Sequence, residues 1–247
     1  MFPGILNMEG GNVLKNILSE FSNIGYKVDY KLLNAAEYGV PQIRERVIFI
    51  GTKLNIDIIF PVKTHSLKNE IGYEKSLTLW DAIGDLPQSD TEEINNYDKP
   101  PINEYQKKIR GDCKELTLHT PPKHSNKTFE MMKYIPEGKS VWDVKDIPSE
   151  LIPTSGYGNT YARLDSKIPG MTITRNFACI SSSRCIHPFL NRGLTAREAA
   201  RIQSYDDSYI FKGPKTDIHL QIGNSVPPIL GNKIACSIKE MLDNNIL

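Results

Sequence analysis

YGVPQIRERVIFIG, the stretch from Tyr38 to Gly51, joins a Gly-Val-Pro turn to a short apolar run and places Arg44 and Arg46 where the two meet. The run RVIFIGT at 46–52 is β-branched and apolar on both faces, which predicts a strand buried in a layered α/β sheet. Guanidinium groups at the start of a buried strand need an anionic or carbonyl-rich partner for their N–H donors. The stretch therefore predicts an α/β fold with a ligand close to the start of this strand.

Hydrophobic periodicity predicts further elements along the chain. They are helices at 11–24, 77–83, 195–205 and 226–242, and strands at 26–33 and 170–180. In the third helix Thr195 is the predicted N-cap and Glu198 follows three residues later, which is the capping-box arrangement. From Gln88 to about Leu151 the chain is polar, with no long predicted element, as is typical of an irregular recognition region inserted in a scaffold.

Composition excludes several classes of protein. The 247 residues carry 30 basic and 29 acidic side chains, so net charge gives no overall attraction to nucleic acid. Between Arg163 and Arg201, however, the sequence contains seven basic residues and only two acidic ones. This local excess of positive charge suits a phosphate backbone. The cysteines have no CxxC spacing, and Cys179, Cys185 and His187 match no common zinc pattern, so reduced thiols and no metal are expected. No apolar run reaches the ~18 residues of a membrane span, and we expect a cytoplasmic protein.

Three separated blocks resemble, in order, the last three sequence motifs of DNA cytosine-5 methyltransferases. They are EYGVPQIRERVIFIG (37–51), RGLTAREAARIQSYDD (192–207) and IGNSVPPILGNKIA (222–235). GNTYARLDSKIPGMTIT (158–174) and HPFLNRG (187–193) are similar to the target-recognition region of that family as it runs into its next motif. The resemblance covers nearly the whole chain.

This resemblance implies a fold and three domains. The fold class is α/β: the C-terminal part of a Rossmann-like S-adenosylmethionine-dependent methyltransferase domain, with an irregular α+β target-recognition domain inserted. Residues 1–87 would be a partial catalytic domain and 88–189 the target-recognition domain. Residues 190–247 would contain an anchor helix for that domain and a C-terminal helix returning to the catalytic domain.

The resemblance also implies the chemistry. In this family a thiolate attacks C6 of a cytosine flipped out of the duplex, and C5 then takes a methyl group from S-adenosyl-L-methionine. Arg46 would hold the O2 carbonyl of the flipped base, and Arg44 would bind the nearby backbone or a carboxylate of the site. The alternative is that both form surface ion pairs, worth at most ~1 kcal/mol each.

Further residues take their roles from the same resemblance. Thr172 would touch the phosphate beside the flipped nucleotide, although a strand threonine chosen for β propensity is the alternative. Two arginines of the basic segment would also contact double-stranded DNA: Arg163 and Arg175. Four residues would hold the recognition region against the catalytic domain: Thr195, Arg197, Glu198 and Arg201.

The last block implies a cofactor pocket. Asn224, Ser225 and Val226 would line the S-adenosyl-L-methionine site. Against this, a Gly-Asn-Ser turn before a helix is also common capping chemistry.

The family's nucleophile and cofactor loop are missing. Its catalytic cysteine lies in a Pro-Cys dipeptide, and this sequence contains no Pro-Cys and no complete glycine-rich loop after a first strand. The segment FPGIL resembles the residues directly after the family's Glu-Asn-Val block, so the chain is expected to open downstream of the chemistry and to be inactive alone. The implied partner is an N-terminal catalytic subunit or a missing N-terminal segment, and a restriction endonuclease of the same system is a further candidate.

Several alternatives stay open at this point. The chain could be a natural subunit, the product of an interrupted gene, or a piece whose upstream part was removed. A non-catalytic DNA-binding remnant or assembly protein is the main functional alternative. A structural α/β domain with chance motif matches is the third.

Overall fold

The structure, a computed structural model, describes residues 3–182 and 184–244. Its α-helices are α1 (Asn12–Asn23), α2 (Leu79–Ile83), α3 (Glu104–Arg110), α4 (Asn126–Met132), α5 (Ala196–Ile202), α6 (Lys215–Asn224) and α7 (Pro228–Asp243). Its strands are β1 (Lys27–Asn34), β2 (Glu45–Thr52), β3 (His65–Ser66), β4 (Glu74–Lys75), β5 (Ala162–Arg163) and β6 (Arg184–Ile186). The four predicted helices and the strands predicted at 26–33 and 46–52 are confirmed, with shifted ends.

Strands β1 and β2 form an antiparallel pair, with a register that runs from Lys27 opposite Thr52 to Asn34 opposite Glu45. Among the described residues β2 pairs with no other strand. Val47 and Ile50 are buried, whereas Phe49 is only partly buried. The expectation that β2 is buried on both faces is therefore wrong, because side chains such as Ile48 and Phe49 keep contact with solvent.

The turn between β1 and β2 is fixed by local chemistry. The Asn34 side chain accepts hydrogen bonds from the backbone N–H of Ala36 at 3.2 Å and of Arg44 at 3.3 Å, so it ties both ends of the turn together. Gly39 adopts φ +86°, a left-handed conformation that glycine permits without steric cost. Behind the turn, buried Leu33 and Tyr38 pack with Leu230 of α7 in one apolar cluster. Helix α7 thus supports the turn that carries the two arginines.

The largest apolar core lies around α2 and α5. Leu79 and Ile83 of α2 pack there with Ile202 of α5, and all three are at most 1% exposed. Both helices begin with a capping box, Thr78 with Asp81 and Thr195 with Glu198, and the second confirms the sequence prediction. The capping box determines where each helix begins. Packing against the core determines which face of the helix is buried.

A second core holds the region between α4 and β6 together. Met132 and Ile186 are fully buried in it, with Val141 and Ile180 beside them. The elements described in this region are all short, which agrees with the irregular pattern of its sequence.

The strand predicted at 170–180 is wrong. Gly170 forms an isolated bridge with Gln42, and the chain then folds into turns in which the Phe177 N–H donates to the Thr174 carbonyl and the Cys179 N–H to the Asn176 carbonyl. The β-branched residues that suggested a strand have no strand partner within the described ranges, since side chains take their hydrogen bonds instead.

Helix α6 was not predicted. Its sequence KTDIHLQIGN has no clear apolar stripe, and it buries only Ile222 and Gly223. Because α6 ends at Asn224 and the N-cap of α7 is Pro227, the Gly-Asn-Ser turn does not cap the last helix. None of the helices in the described ranges is long and apolar enough to cross a membrane.

Candidate functional site

Arg44 is the centre of the candidate site. Its side chain is 1% exposed, and its Nη1 donates to the Ile173 carbonyl oxygen at 2.7 Å. Its Nη2 donates to the carbonyl oxygens of Gly223 at 2.8 Å and Ser225 at 3.0 Å. One guanidinium therefore joins the start of β2 to two segments that are distant in sequence.

The positively charged guanidinium of Arg44 has no carboxylate partner among the described residues. Burial, together with the nearby positive charge of Arg46, lowers the pKa of Arg44 to about 10, so the group is still protonated at neutral pH. Its Nε is buried and has no hydrogen-bond partner within the described ranges. A buried unsatisfied donor costs roughly 1–3 kcal/mol. The site is thus short of one acceptor.

Gln42 reinforces the same junction and was missed by the sequence analysis. Its Oε1 accepts from the Ile173 N–H at 2.8 Å, and its Nε2 donates to Gln203 Oε1 at 2.8 Å. Gln203 in turn donates to the Ile222 carbonyl oxygen at 2.6 Å. Two glutamines therefore bridge the turn before β2, the 170–173 segment and the end of α6. Gln42 lies in the quoted motif, but nothing in the motif shows what its amide contacts.

Arg46 lies two residues beyond Arg44, in the strand itself. It is partly exposed, its Nη1 donates to the Glu45 carbonyl oxygen at 2.6 Å, and burial lowers its pKa. The structure therefore separates the two arginines, with Arg44 holding backbone inside the protein and Arg46 at the surface of the site. A half-exposed guanidinium beside a preorganised turn can bind a carbonyl or an anion.

Thr172 is brought to the same place. Its hydroxyl donates to the Ile43 carbonyl oxygen at 2.8 Å, and the Ile43 N–H donates to the Gly170 carbonyl oxygen at 2.8 Å. The hydroxyl oxygen can still accept a hydrogen bond. Thr172 thus lies directly beside the motif that carries Arg44 and Arg46.

Asn224, Ser225 and Val226 form one surface of the site. Asn224 is exposed and Val226 is 48% exposed, whereas Ser225 is half-buried and its hydroxyl donates to the Ile222 carbonyl oxygen at 2.9 Å. Because Arg44 holds the carbonyls on either side of Asn224, this amide is presented outward beside an apolar side chain. An amide next to apolar surface suits one wall of a nucleoside-type pocket.

Arg163 requires a correction. Its guanidinium is buried and all five N–H donors are used inside the protein, by the carbonyl oxygens of Met132, Ile135, His187 and Leu190 and by Asn191 Oδ1. It cannot reach DNA from this position, so it holds its own region together instead. Arg175 is exposed and remains a candidate for DNA contact.

Helix α5 anchors its surroundings through buried ion pairs. Arg197 and Arg201 both contact Asp207, and Arg201 also bonds to Asp85, which follows α2. Burial alone would raise the pKa of Asp207, but hydrogen bonding and charge from Arg201 hold it below its ordinary value. Arg197 donates further to the Thr117 backbone at 3.0 Å. The two arginines thus connect segments on both sides of the expected domain boundary.

The start of α5 holds a second buried pair. Glu198 accepts two hydrogen bonds from Arg192, at 2.8 and 2.7 Å, and it also accepts from the Thr195 N–H at 2.8 Å. His187 lies 3.7 Å from Glu198, yet its burial lowers its pKa to about 3, so the ring is neutral. Arg192, Asp85 and Asp207 were not predicted, because their partners are set only by the folded chain.

Comparisons with known proteins identify the family of this chain. The family C-5 cytosine-specific DNA methylase matches residues 2–240. The chain is 33% identical over 234 residues to the Type II methyltransferase M1.HphI of Haemophilus parahaemolyticus, which is 95% of this chain and 54% of that protein. It is 35% identical over 266 aligned positions to the Type II methyltransferase M.DdeI of Desulfomicrobium norvegicum. That alignment covers 98% of this chain and 62% of M.DdeI. The chain belongs to the C-5 cytosine-specific DNA methylase family.

The likeness extends to a solved structure. A crystal structure described as a DNA modification methyltransferase encoded within an Escherichia coli prophage aligns with a TM-score of 0.69 at 24% identity, over 98% of this chain and 68% of that one. At this identity the likeness concerns the fold, which is that of an α/β methyltransferase. This chain spans 54% and 62% of the two curated relatives M1.HphI and M.DdeI.

Proposed function

We propose that this chain is the C-terminal, target-recognising part of a DNA cytosine-5 methyltransferase. Together with an N-terminal catalytic part it transfers a methyl group from S-adenosyl-L-methionine to C5 of a flipped cytosine. The observation that carries the proposal is the Arg44 junction. Arg44 bonds to residues 129 and 179 positions away, and so assembles the segments that carry Arg46, Thr172 and Asn224.

Within this proposal the residues divide the work. Arg46 donates to the O2 carbonyl of the extruded base, and Arg44 fixes the turn from which Arg46 projects. Thr172 contacts the phosphate beside the flipped nucleotide. A base held this way leaves the stack at a cost of a few kcal/mol, which a preorganised site can offset.

This chain would supply only one wall of the cofactor pocket. Asn224 would hydrogen-bond to it, and Ser225 and Val226 would complete that wall. S-adenosyl-L-methionine supplies the methyl group when bound, and this chain positions it from the C-terminal side. The exposed amide and apolar side chain fit a nucleoside moiety.

Two features support a need for an N-terminal part. Helix α1 has an apolar stripe in which only Leu14 is buried, and Phe21 within the helix and Ile24 directly after it are 39% and 59% exposed. The β1–β2 pair has no further strand beside it within the described ranges, and natural proteins seldom leave such an edge bare.

The contacts of α5 support the proposed domain roles. Residues 88–189 form the recognition domain, and α5 anchors it through Thr195, Arg197, Glu198 and Arg201. Removing one partner of a buried ion pair leaves an uncompensated charge, so these pairs would hold the two parts in one arrangement. The arrangement would keep the recognition domain in register with the Arg44 site.

The test is reconstitution. The segment of M.DdeI that this chain does not match is joined ahead of this chain, and transfer of radiolabelled methyl groups to mixed-sequence DNA is measured. We expect incorporation into cytosine by the chimera, loss of it in an Arg46→Ala chimera, and cofactor binding in both. A chimera that folds and binds the cofactor but never methylates DNA would favour a non-catalytic DNA-binding or assembly protein.

A further inference from the structure

A basic cleft lies beside the Arg44 site and has no role in the chemistry proposed for that site. It is a groove of about 490 Å³ whose cationic lining comes from three separate segments: Lys123, Arg175 and Lys215. Asn176 and His219 line it as well, and no acidic residue of the described ranges is among its lining residues. Three positive charges without a counter-charge at one groove favour a phosphate ligand.

The basic cleft opens into an apolar pocket of about 250 Å³. The two share Lys215 and His219, and the pocket is lined further by Leu118, Leu194 and Ile218. A charged mouth above an apolar pocket matches the two chemistries of a nucleotide, whose phosphate is anionic and whose sugar and base have apolar faces.

The segment that carries Lys123 is held rigidly. Just before it, the buried His119 contacts the Pro87 carbonyl oxygen at 2.8 Å and Thr195 Oγ1 at 3.0 Å. Just after it, His124 Nε2 accepts from the Gly193 N–H at 3.0 Å. The prolines at 121 and 122 stiffen the wall between these two anchors. Lys123 therefore projects from a fixed backbone.

The opposite wall is equally fixed. The His219 ring packs on the buried Phe177 ring, with centroids 4.3 Å apart. A turn closed by the hydrogen bond from the Cys179 N–H to the Asn176 carbonyl oxygen follows Arg175. A preorganised groove spends little of its binding free energy on ordering itself.

The basic cleft continues from the candidate site. Arg175 follows Thr172 by three residues, and its backbone lies against Gly223, where a Cβ would come within 2.2 Å of the Arg175 nitrogen. Gly223 is also the residue that Arg44 holds. A nucleic-acid strand that touches Thr172 would therefore reach the cleft within a short distance, which favours DNA over an acidic peptide.

We propose that the basic cleft binds a backbone phosphate of the DNA near the flipped cytosine, and that the adjoining apolar pocket takes the sugar or base edge of that nucleotide. This inference rests on the proposed function. Lys123, Arg175 and Lys215 anchor the strand without reading its sequence, so they add affinity to every DNA rather than selecting one.

Two native cysteines provide the first test. Cys179 lines the basic cleft, and hydrogen bonds from Ser181 and Ser182 lower its pKa, which favours the reactive thiolate; Cys236 on α7 is also exposed and lies outside the cleft. Alkylation of each thiol by iodoacetamide is followed by mass spectrometry with and without saturating duplex DNA. We expect DNA to slow alkylation of Cys179 about tenfold, as for a covered thiol, and to leave Cys236 unchanged. Unchanged alkylation of Cys179, or equal protection by inorganic phosphate alone, would overturn the proposal.

The second test uses salt dependence. Lys123→Gln with Lys215→Gln should reduce the slope of log K against log salt by roughly 1, the share of the one phosphate that the cleft holds. The matched control is Lys107→Gln with Lys239→Gln, two exposed lysines on α3 and α7, which should keep the wild-type slope. Equal slopes in both double variants would contradict the cleft assignment.

The two proposals fail differently. Suppose that the assembled enzyme methylates DNA, that Cys179 stays reactive in the presence of DNA, and that both double variants have the same salt slope. The cleft assignment is then wrong and the proposed function stands. If Cys179 is protected and the slope falls but no methyl group is ever transferred, the proposed function is wrong and the cleft is a DNA site of a non-catalytic protein.

Discussion

Arg44 and Gly223 are joined by a 2.8 Å hydrogen bond from the arginine Nη2 to the glycine carbonyl oxygen, although 179 residues separate them in the chain. Gly223 is pressed against the backbone of Thr174 and Arg175 on its other side. The bond therefore closes a layered contact in which the start of β2, the end of α6 and the 173–175 segment touch. The geometry of the candidate site depends on this contact.

Gly223→Ala should disrupt that contact. A Cβ at Gly223 would lie 2.2 Å from the Arg175 nitrogen, and backbone cannot give way as a flexible side chain does. Overpacking of this kind costs roughly 1–3 kcal/mol. Urea unfolding should show the loss. Gly231→Ala on α7 is the control: nothing lies within 4 Å of its Cβ, and alanine favours a helix, so that variant should be at least as stable as wild type.

Arg44 and Arg46 should respond differently to truncation. Arg44→Ala removes three buried hydrogen bonds to backbone carbonyls and should lower the Tm, at ~2–4 °C per kcal/mol for a chain of this size. Arg46→Ala should leave the Tm nearly unchanged and lower the rate of the assembled enzyme about tenfold to more than a hundredfold, for a charge-assisted contact of ~1.5–3 kcal/mol. Full activity of Arg46→Ala would show that Arg46 only forms surface contacts.

The isolated chain should not methylate DNA, because its sequence has no Pro-Cys nucleophile. Incubation with radiolabelled S-adenosyl-L-methionine and mixed-sequence DNA should give background counts. Incorporation into cytosine by the pure chain would refute the proposed division of labour between this chain and an N-terminal catalytic part.

Residues 88–189 should carry the choice of DNA sequence. Exchanging this segment for that of a relative with a different site should move methylation to the relative's site, since each bidentate base contact gives ~1–3 kcal/mol of discrimination. The Arg163 network favours exchange of the whole segment, because most of its partners lie inside the segment or directly after it: Met132, Ile135, His187 and Leu190. Bisulfite sequencing would read the outcome, and an active chimera that still marks the original site would place specificity elsewhere.

Stability should fall in mild acid, partly through His187. Its Nδ1 accepts from the N–H groups of Phe189 and Leu190, and burial lowers its pKa from 6.5 to about 3. The folded state then binds fewer protons than the unfolded state between these values, so the stabilisation is complete above pH 6.5 and is lost as pH falls toward 3.

The size of this effect can be isolated. Between pH 7.5 and pH 5 the wild type should lose roughly 1–2 kcal/mol more than His187→Asn. Urea unfolding of both proteins at the two pH values measures the difference. Equal losses would assign the acid sensitivity to other groups.

Most local elements could be inferred from the amino-acid sequence. Hydrophobic period and capping chemistry depend on residues within one or two turns of chain, so the α5 capping box of Thr195 and Glu198, strands β1 and β2 and helix α7 could be predicted. The antiparallel pairing of the two strands was not predicted. The motif order also led to the hypothesis that Arg44, Arg46, Thr172 and Asn224 serve one reaction, since resemblance to a family does not depend on knowing their contacts.

Which charged side chains are buried depends on tertiary contacts. The sequence does not show whether an arginine side chain contacts solvent or backbone carbonyls. Arg163 was therefore wrongly predicted to contact DNA. The segment at 170–180 has the β-branched pattern of a strand, yet the Gln42 and Arg44 side chains take its backbone hydrogen bonds. Partners 129 and 179 residues apart leave no periodic signal, because their contact exists only after the intervening chain has folded.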